Sequence, residues 1–243
     1  MLHPRRYRDW AADGVLVLAG GAAILLQLLD PVVAASVARH SRFARDPVGR
    51  LTGTLRYVYS VALEADAARD AATTVTRAHR GIPGADDPQR QLWVAGTLYW
   101  AGSRAHEAIY GPLEPRLADE VYARSSRLGS ALGMPPGLWL RDRAAFEAWW
   151  ADAVATPAVT PDARRVAAQL MRPRGGPLWL RAAMPLGRLL TAGLLPPAVR
   201  AAYGQNWTPA LERRYRRTLR GIRLVWRLTP RALRELPARR LAR

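Results

Sequence analysis

The chain has no cysteine and no lysine. Without cysteine there can be no disulfide, zinc–thiolate site, iron–sulfur cluster or thiolate-ligated haem. Without lysine there can be no Walker A phosphate loop, which needs one. A dinucleotide fingerprint behind a strand, a Gly-x-Ser-x-Gly elbow and a His-Glu-x-x-His helix are also missing. Carboxylates are sparse, 19 in 243 residues, and fall mostly at helix-cap positions or in polar stretches, so no glycosidase-type acid pair is readable. Four histidines (His3, His40, His79 and His106) are the only soft nitrogen ligands available to a transition metal.

Long hydrophobic runs are nearly absent as well. Val15 to Leu29 is apolar apart from Gln27, and Asp30-Pro31 ends it. That run is shorter than the roughly 20 residues a bilayer-spanning helix needs. A signal-peptide reading would use Arg5 and Arg6 as the charged start and Ala34-Ala35 as the small-residue site. Asp9 and Asp13 interrupt it, and the apolar patterning continues beyond the supposed cleavage point. The expectation is a buried first helix and a cytoplasmic protein.

What is abundant is arginine. All 37 basic residues are arginine and the net charge is +18. A GC-rich genome gives this bias, yet the charge still draws the surface toward anionic lipid, nucleic acid or acidic ligands. No helix-turn-helix, zinc finger or aromatic RNA-binding motif accompanies it, so specific nucleic-acid recognition is not expected.

An acidic or hydroxyl residue followed by proline recurs at Asp30-Pro31, Asp46-Pro47, Asp87-Pro88, Thr160-Pro161, Thr208-Pro209 and Thr229-Pro230. Asp or Thr caps the free amides of a helix start and proline suits the first helical position, so each pair predicts a new helix. Between them apolar residues recur at three- and four-residue spacing: Leu51, Leu55, Val58 and Ala62 on one face, and Ala68, Ala72, Val75, His79 and Ile82 on another. A further helix is expected from Arg116 to Leu132. Breaks fall at Gly81–Pro88, Gly133–Gly137, Pro173–Pro177 and Gly204–Pro209. No alternating strand pattern is present. The expected fold is all-α, a single multi-helix domain of about ten helices. Residues 1–207 form its body, and 208–243 form a basic amphipathic C-terminal helix and tail belonging to the same domain.

That last helix places Leu211, Tyr215, Ile222 and Trp226 on one side and its arginines mostly on the others. It suits either a packed final helix with a solvated charged face or a segment lying on an anionic membrane.

His79 sits on the apolar face of its helix, where a neutral imidazole can coordinate a haem iron. Arg50 and Thr54, four apart, share a face of the preceding helix. An arginine there can pair with a propionate or polarise dioxygen, and a threonine hydroxyl can hydrogen-bond an oxygen ligand. Gly96 and Gly102, on the helix after His79, can let a flat ligand approach the backbone. The same spacings also suit a hydrogen-bonded core histidine and an ordinary helix start.

Longer blocks carry more. Ala19 to Leu55 contains Gly-Gly, Leu-Leu-Gln, Pro-x-Val-Ala, His-Ser-x-Phe and Asp-Pro-x-x-Arg-Leu-x-x-Thr-Leu in that order. It resembles the opening of the bacterial branch of the oxygenase family that includes MpaB and latex-clearing protein. TRAHRGIPG around His79, LWVAGTL from Leu92 to Leu98, and LLTAGLLPPAVRAAYGQNWTP from Leu189 to Pro209 resemble its later blocks. The resemblance implies an all-helical oxygenase with haem b, His79 as axial iron ligand, and Arg50 and Thr54 as the pocket pair. The implied partners are dioxygen and a hydrophobic, lipid- or terpenoid-like substrate. The alternative is a non-catalytic basic helical protein attached peripherally to anionic membranes. Gly53 stands where rubber oxygenases carry lysine, and Asp30 and Ala95 stand where this branch commonly carries histidine. His40 matches a family position in the His-Ser-x-Phe motif.

Overall fold

The computed structural model describes residues 3–40, 46–173 and 177–242. Among these, the first helix starts follow their caps. Asp30 accepts hydrogen bonds from the Val32 and Val33 amides (2.8 and 2.9 Å) and opens α3, Pro31–His40. Asp46 accepts from Gly49 (2.8 Å) and opens α4, Pro47–Ala62. Asp87 accepts from Gln89 (2.8 Å) and opens α6, Pro88–Tyr110. Each cap contributes roughly 1 kcal/mol by satisfying amides that the helix itself cannot. Between α4 and α6 lies α5, Ala68–His79.

Later in the chain, Thr160 caps α10, Pro161–Met171, and Thr208 caps α13, Pro209–Leu228. Thr229 differs. Its hydroxyl donates back to the Val225 carbonyl (2.8 Å), and the next helix, α14, begins only at Arg231 and runs to Arg234.

The remaining helices are α1 (Tyr7–Ala11), α2 (Leu16–Gln27), α7 (Pro115–Ser125), α8 (Arg127–Ser130), α9 (Arg143–Ala155), α11 (Leu178–Leu194), α12 (Pro197–Ala202) and α15 (Leu236–Leu241). Ten of all these helices are ten residues or longer, and no strand occurs among the described residues. The stretch expected as one helix from Arg116 to Leu132 is two, because the chain breaks at Ser126.

The apolar run becomes α2, preceded by the short α1 rather than opening the fold. Val15, Leu25, Leu26 and Leu28 are wholly buried, as befits a helix apolar on every side. Each such side chain contributes about 2 kcal/mol through its removal from water. α2 lies against α6 along its length and meets α11 on another side. Close approach depends on Gly21, beside Thr191 of α11, and Gly102, beside Leu16 and Trp10. Among the described residues no single helix is long and apolar enough to cross a membrane, and α2 and α3 meet at 109°.

The turn before α2 holds a polar hub. Asp13 is buried and accepts from the Val15 amide (2.9 Å), the Trp226 indole of α13 (3.1 Å) and the Tyr110 hydroxyl of α6. Its backbone carbonyl accepts from Tyr59 of α4 (3.1 Å). Arg234 of α14 donates to the Tyr110 hydroxyl (2.9 Å) and lies at ion-pair range, 4.0 Å, from Asp13. The Gly14 amide donates to the Arg234 carbonyl (2.8 Å), and α15 packs on α4 with Ala238 buried. The C-terminal segment is therefore tied into the body of the fold.

Candidate functional site

Four residues of α4 expected on one face, Leu51, Leu55, Val58 and Ala62, all line an internal cavity. α2 supplies the facing wall with Ala19, Gly20, Ala23 and Ile24, and α6 adds Leu98 and Gly102. The lining is apolar except where Gln27, Arg50, Thr54 and Ser125 border it. The free volume is about 60 Å³, enough for a few water molecules.

Arg50 and Thr54 both reach this cavity from one face of α4, as their spacing requires. Arg50 is exposed at the rim, but nearby protein lowers its pKa from the ordinary arginine value. It remains a cation, since a guanidinium does not lose its proton in proteins. The Thr54 hydroxyl donates to the Arg50 carbonyl at 3.1 Å. Its oxygen is thereby left as an acceptor.

His79 closes α5, half-buried, with the Ala72 and Val75 side of that helix turned toward Tyr57, Val58 and Val61 of α4. It does not line the cavity. It is nevertheless close enough to Arg50 to feel its charge. Burial first, and that guanidinium second, push the imidazole pKa below 6.5. The ring is therefore neutral at pH 7, the form that binds a metal. No hydrogen bond occupies either ring nitrogen among the described residues. No group of three or more metal-ligating side chains occurs there either.

Gly96 and Gly102 part company. Gly102 borders the cavity, whereas a Cβ at Gly96 would meet Trp149 and Phe146 of α9 at 3.2 and 3.3 Å. Gly96 serves the packing of α6 on an aromatic cluster. Of the departures from the family pattern, Gly53 is exposed with open space around it. Asp30 caps α3 and pairs with Arg90 at 3.4 Å. Ala95 is buried in a small cluster with Tyr57, Val61, Ala72 and Leu128. The His40 side chain and residues 41–45, which include the rest of the His-Ser-x-Phe motif, lie outside the described residues.

A wider groove of about 960 Å³ runs along α5, the end of α4 and α8. It is open to solvent and its lining is charged, with Arg69, Arg77, Arg80 and Arg127 facing Glu64, Asp66 and Asp70. Opposite charges pair across it in open solvent, so the smaller apolar cavity, with Arg50 and Thr54 at its border, is the better candidate for chemistry.

One buried histidine was not anticipated. His106 of α6 is fully enclosed, its ring 5.5 Å from Trp10 and 5.0 Å from Tyr110, with no hydrogen-bond partner on either nitrogen. Burial lowers its pKa to about 3 against the opposing pull of the Trp10 backbone, with the His3 charge adding to the fall. The sequence signal was its place four residues after Gly102, on the side of α6 that meets α1 and α2.

The arrangement defines an all-helical protein with a narrow apolar cavity, fronted by a guanidinium and a hydroxyl, with a neutral imidazole on the adjacent helix. Comparison with known proteins shows the family. Residues 7–224 match the family described as ER-bound oxygenase mpaB/B'/Rubber oxygenase, catalytic domain, and the chain belongs to that family. Two mycobacterial relatives of uncharacterised activity, Mb2261 of Mycobacterium bovis and Rv2237 of Mycobacterium tuberculosis, are each 36% identical over 234 residues. Those alignments cover 90% of this chain and 88% of each relative.

Proposed function

We propose that the protein is a haem b-dependent oxygenase of the MpaB and rubber-oxygenase type, acting on a hydrophobic substrate of lipid or terpenoid character. The observation that carries this reading is that Arg50 and Thr54 border the apolar cavity from one face of α4, while His79 on the adjacent α5 is near enough to Arg50 for burial and that charge to lower its pKa.

The donor chemistry fits the cofactor. His79 supplies the neutral nitrogen for iron, and Arg50 the cation for a propionate. The 60 Å³ of free space is far below the roughly 300 Å³ at which ligand pockets begin, so the helices that wall it, α2, α4 and α6, would have to part for a porphyrin to enter. Bound haem would supply the redox chemistry of dioxygen activation, which no side chain provides.

The protein's own contribution is to position and enclose. Leu51, Leu55, Val58 and Leu98 give a hydrophobic substrate a dry wall, and Arg50 holds positive charge at its edge. Thr54 accepts a proton donor once its own hydrogen is committed to the Arg50 carbonyl. The test is dioxygen consumption by the haem-loaded protein with unsaturated lipids and terpenoids as substrates. Uptake should depend on substrate and fall at least tenfold in Arg50→Ala. Loaded protein that consumes no dioxygen with any such substrate refutes the oxygenase reading.

A further inference from the structure

The large apolar side chains left exposed among the described residues gather in two places. One is the outer start of α11, with Leu178, Trp179 and Leu186; the other is the end of α13 and the following turn. In α13, Leu224 (60% exposed), Val225 (60%) and Leu228 (77%) share the outward side, and Leu233 (54%) follows in α14. The inward side of the same helix carries Tyr215 and Leu219, both buried, with Tyr215 against Gly193 of α11. The exposed leucines are thus surplus to the packing that anchors the helix.

Helical spacing sets Arg213, Arg217 and Arg220 on the same outward side as Leu224, with Arg214 and Arg227 at its edges. All five are exposed, and none has a carboxylate partner among the described residues. Glu212, the sole acid of α13, is committed to Arg216 and the Trp207 indole. The face is therefore cationic along its first turns and apolar toward its C-terminal end, with no acid on it.

We infer that this face of α13 docks the protein on the surface of an anionic lipid bilayer, the helix lying in the membrane plane. At 20 residues α13 is about 30 Å long, and its leucines can enter the acyl boundary while the arginines meet the headgroup phosphates. A second copy of the chain fits poorly, because pairing this face with itself opposes arginine with arginine on a chain of net charge +18. Nucleic acid would leave the leucines in water. The inference does not depend on the haem reading, since none of these residues borders the cavity.

The full chain is mixed with vesicles of phosphatidylcholine and phosphatidylglycerol in equal parts, or of phosphatidylcholine alone, and sedimented. Binding should require phosphatidylglycerol and weaken with salt. Leu224→Ser with Leu228→Ser should lower partitioning roughly a hundredfold, about tenfold per leucine. Arg213→Gln, Arg217→Gln and Arg220→Gln together should do the same, about fivefold per guanidinium. All these positions are exposed, so circular dichroism should match the parent. Leu178→Ser with Trp179→Ser, on α11, should leave binding unchanged. The inference fails if the parent ignores anionic vesicles, if either α13 variant binds as the parent does, or if only the α11 variant loses binding. It fails equally if the parent is a dimer that Leu224→Ser dissociates.

Discussion

His106 gives the sharpest quantitative expectation. Its ring is wholly enclosed between Trp10 and Tyr110, and charging it there would strand a cation without a partner. Its pKa falls to about 3 in the folded chain, against about 6.5 when unfolded. Between those values the unfolded state binds a proton that the folded state refuses, so stability falls as pH falls. At pH 4.5, about two units below the unfolded value, the loss from this one residue is about 3 kcal/mol. For a chain of this size that corresponds to a melting temperature roughly 6–12 °C lower. His106→Phe keeps a flat ring in the stack and carries no proton. Urea midpoints of parent and variant at pH 7 and 4.5, read by circular dichroism, isolate the term, because the carboxylates contribute equally to both. The parent should lose about 3 kcal/mol more than the variant over that interval. Parallel losses in the two proteins would falsify the burial argument. His106→Leu offers the same comparison if the larger ring strains the site.

Asp13→Ala removes the acceptor shared by Val15, Tyr110 and Trp226, and should cost about 3–5 kcal/mol in urea unfolding by stranding those donors and Arg234. Gly21→Ala drives a methyl into Thr191 and should cost about 1–3 kcal/mol through the α2–α11 contact, seen in the same assay. Arg50→Ala should raise the His79 pKa toward 6.5, measurable by NMR titration of the imidazole. An unchanged value would mean that the two side chains are not close. In the parent, the depressed His79 pKa means that acidification below pH 6.5 charges the unfolded imidazole first and so weakens the fold.

The elements that read most clearly from the sequence are those whose cause is local. Asp46-Pro47 and Asp87-Pro88 mark helix starts because cap and first turn are neighbours in the chain, and the structure begins α4 and α6 there. The α4 face of Leu51, Leu55, Val58 and Ala62 was legible for the same reason, and with it the convergence of Arg50 and Thr54 on one cavity. What was not legible depends on partners far along the chain. Gly96 looked like room for a flat ligand, but Phe146 and Trp149, some fifty residues later, fill that space. Asp13 looked only like a charge set between the N-terminal arginines and the apolar run, yet Trp226 and Tyr110 make it the hub joining both ends of the molecule. Thr229 carries the same cap signature as Thr208, but it bonds backward to Val225, a choice its immediate neighbours do not encode.

The central claim is that His79 is poised to hold a haem iron, and a haem titration tests it most directly. Haem added to the purified protein at pH 7.5 should give a saturable Soret band. His79→Ala should abolish that band or shift it, with the helical circular dichroism retained. A parent that stays colourless, or a variant whose band is indistinguishable from the parent's, contradicts the account.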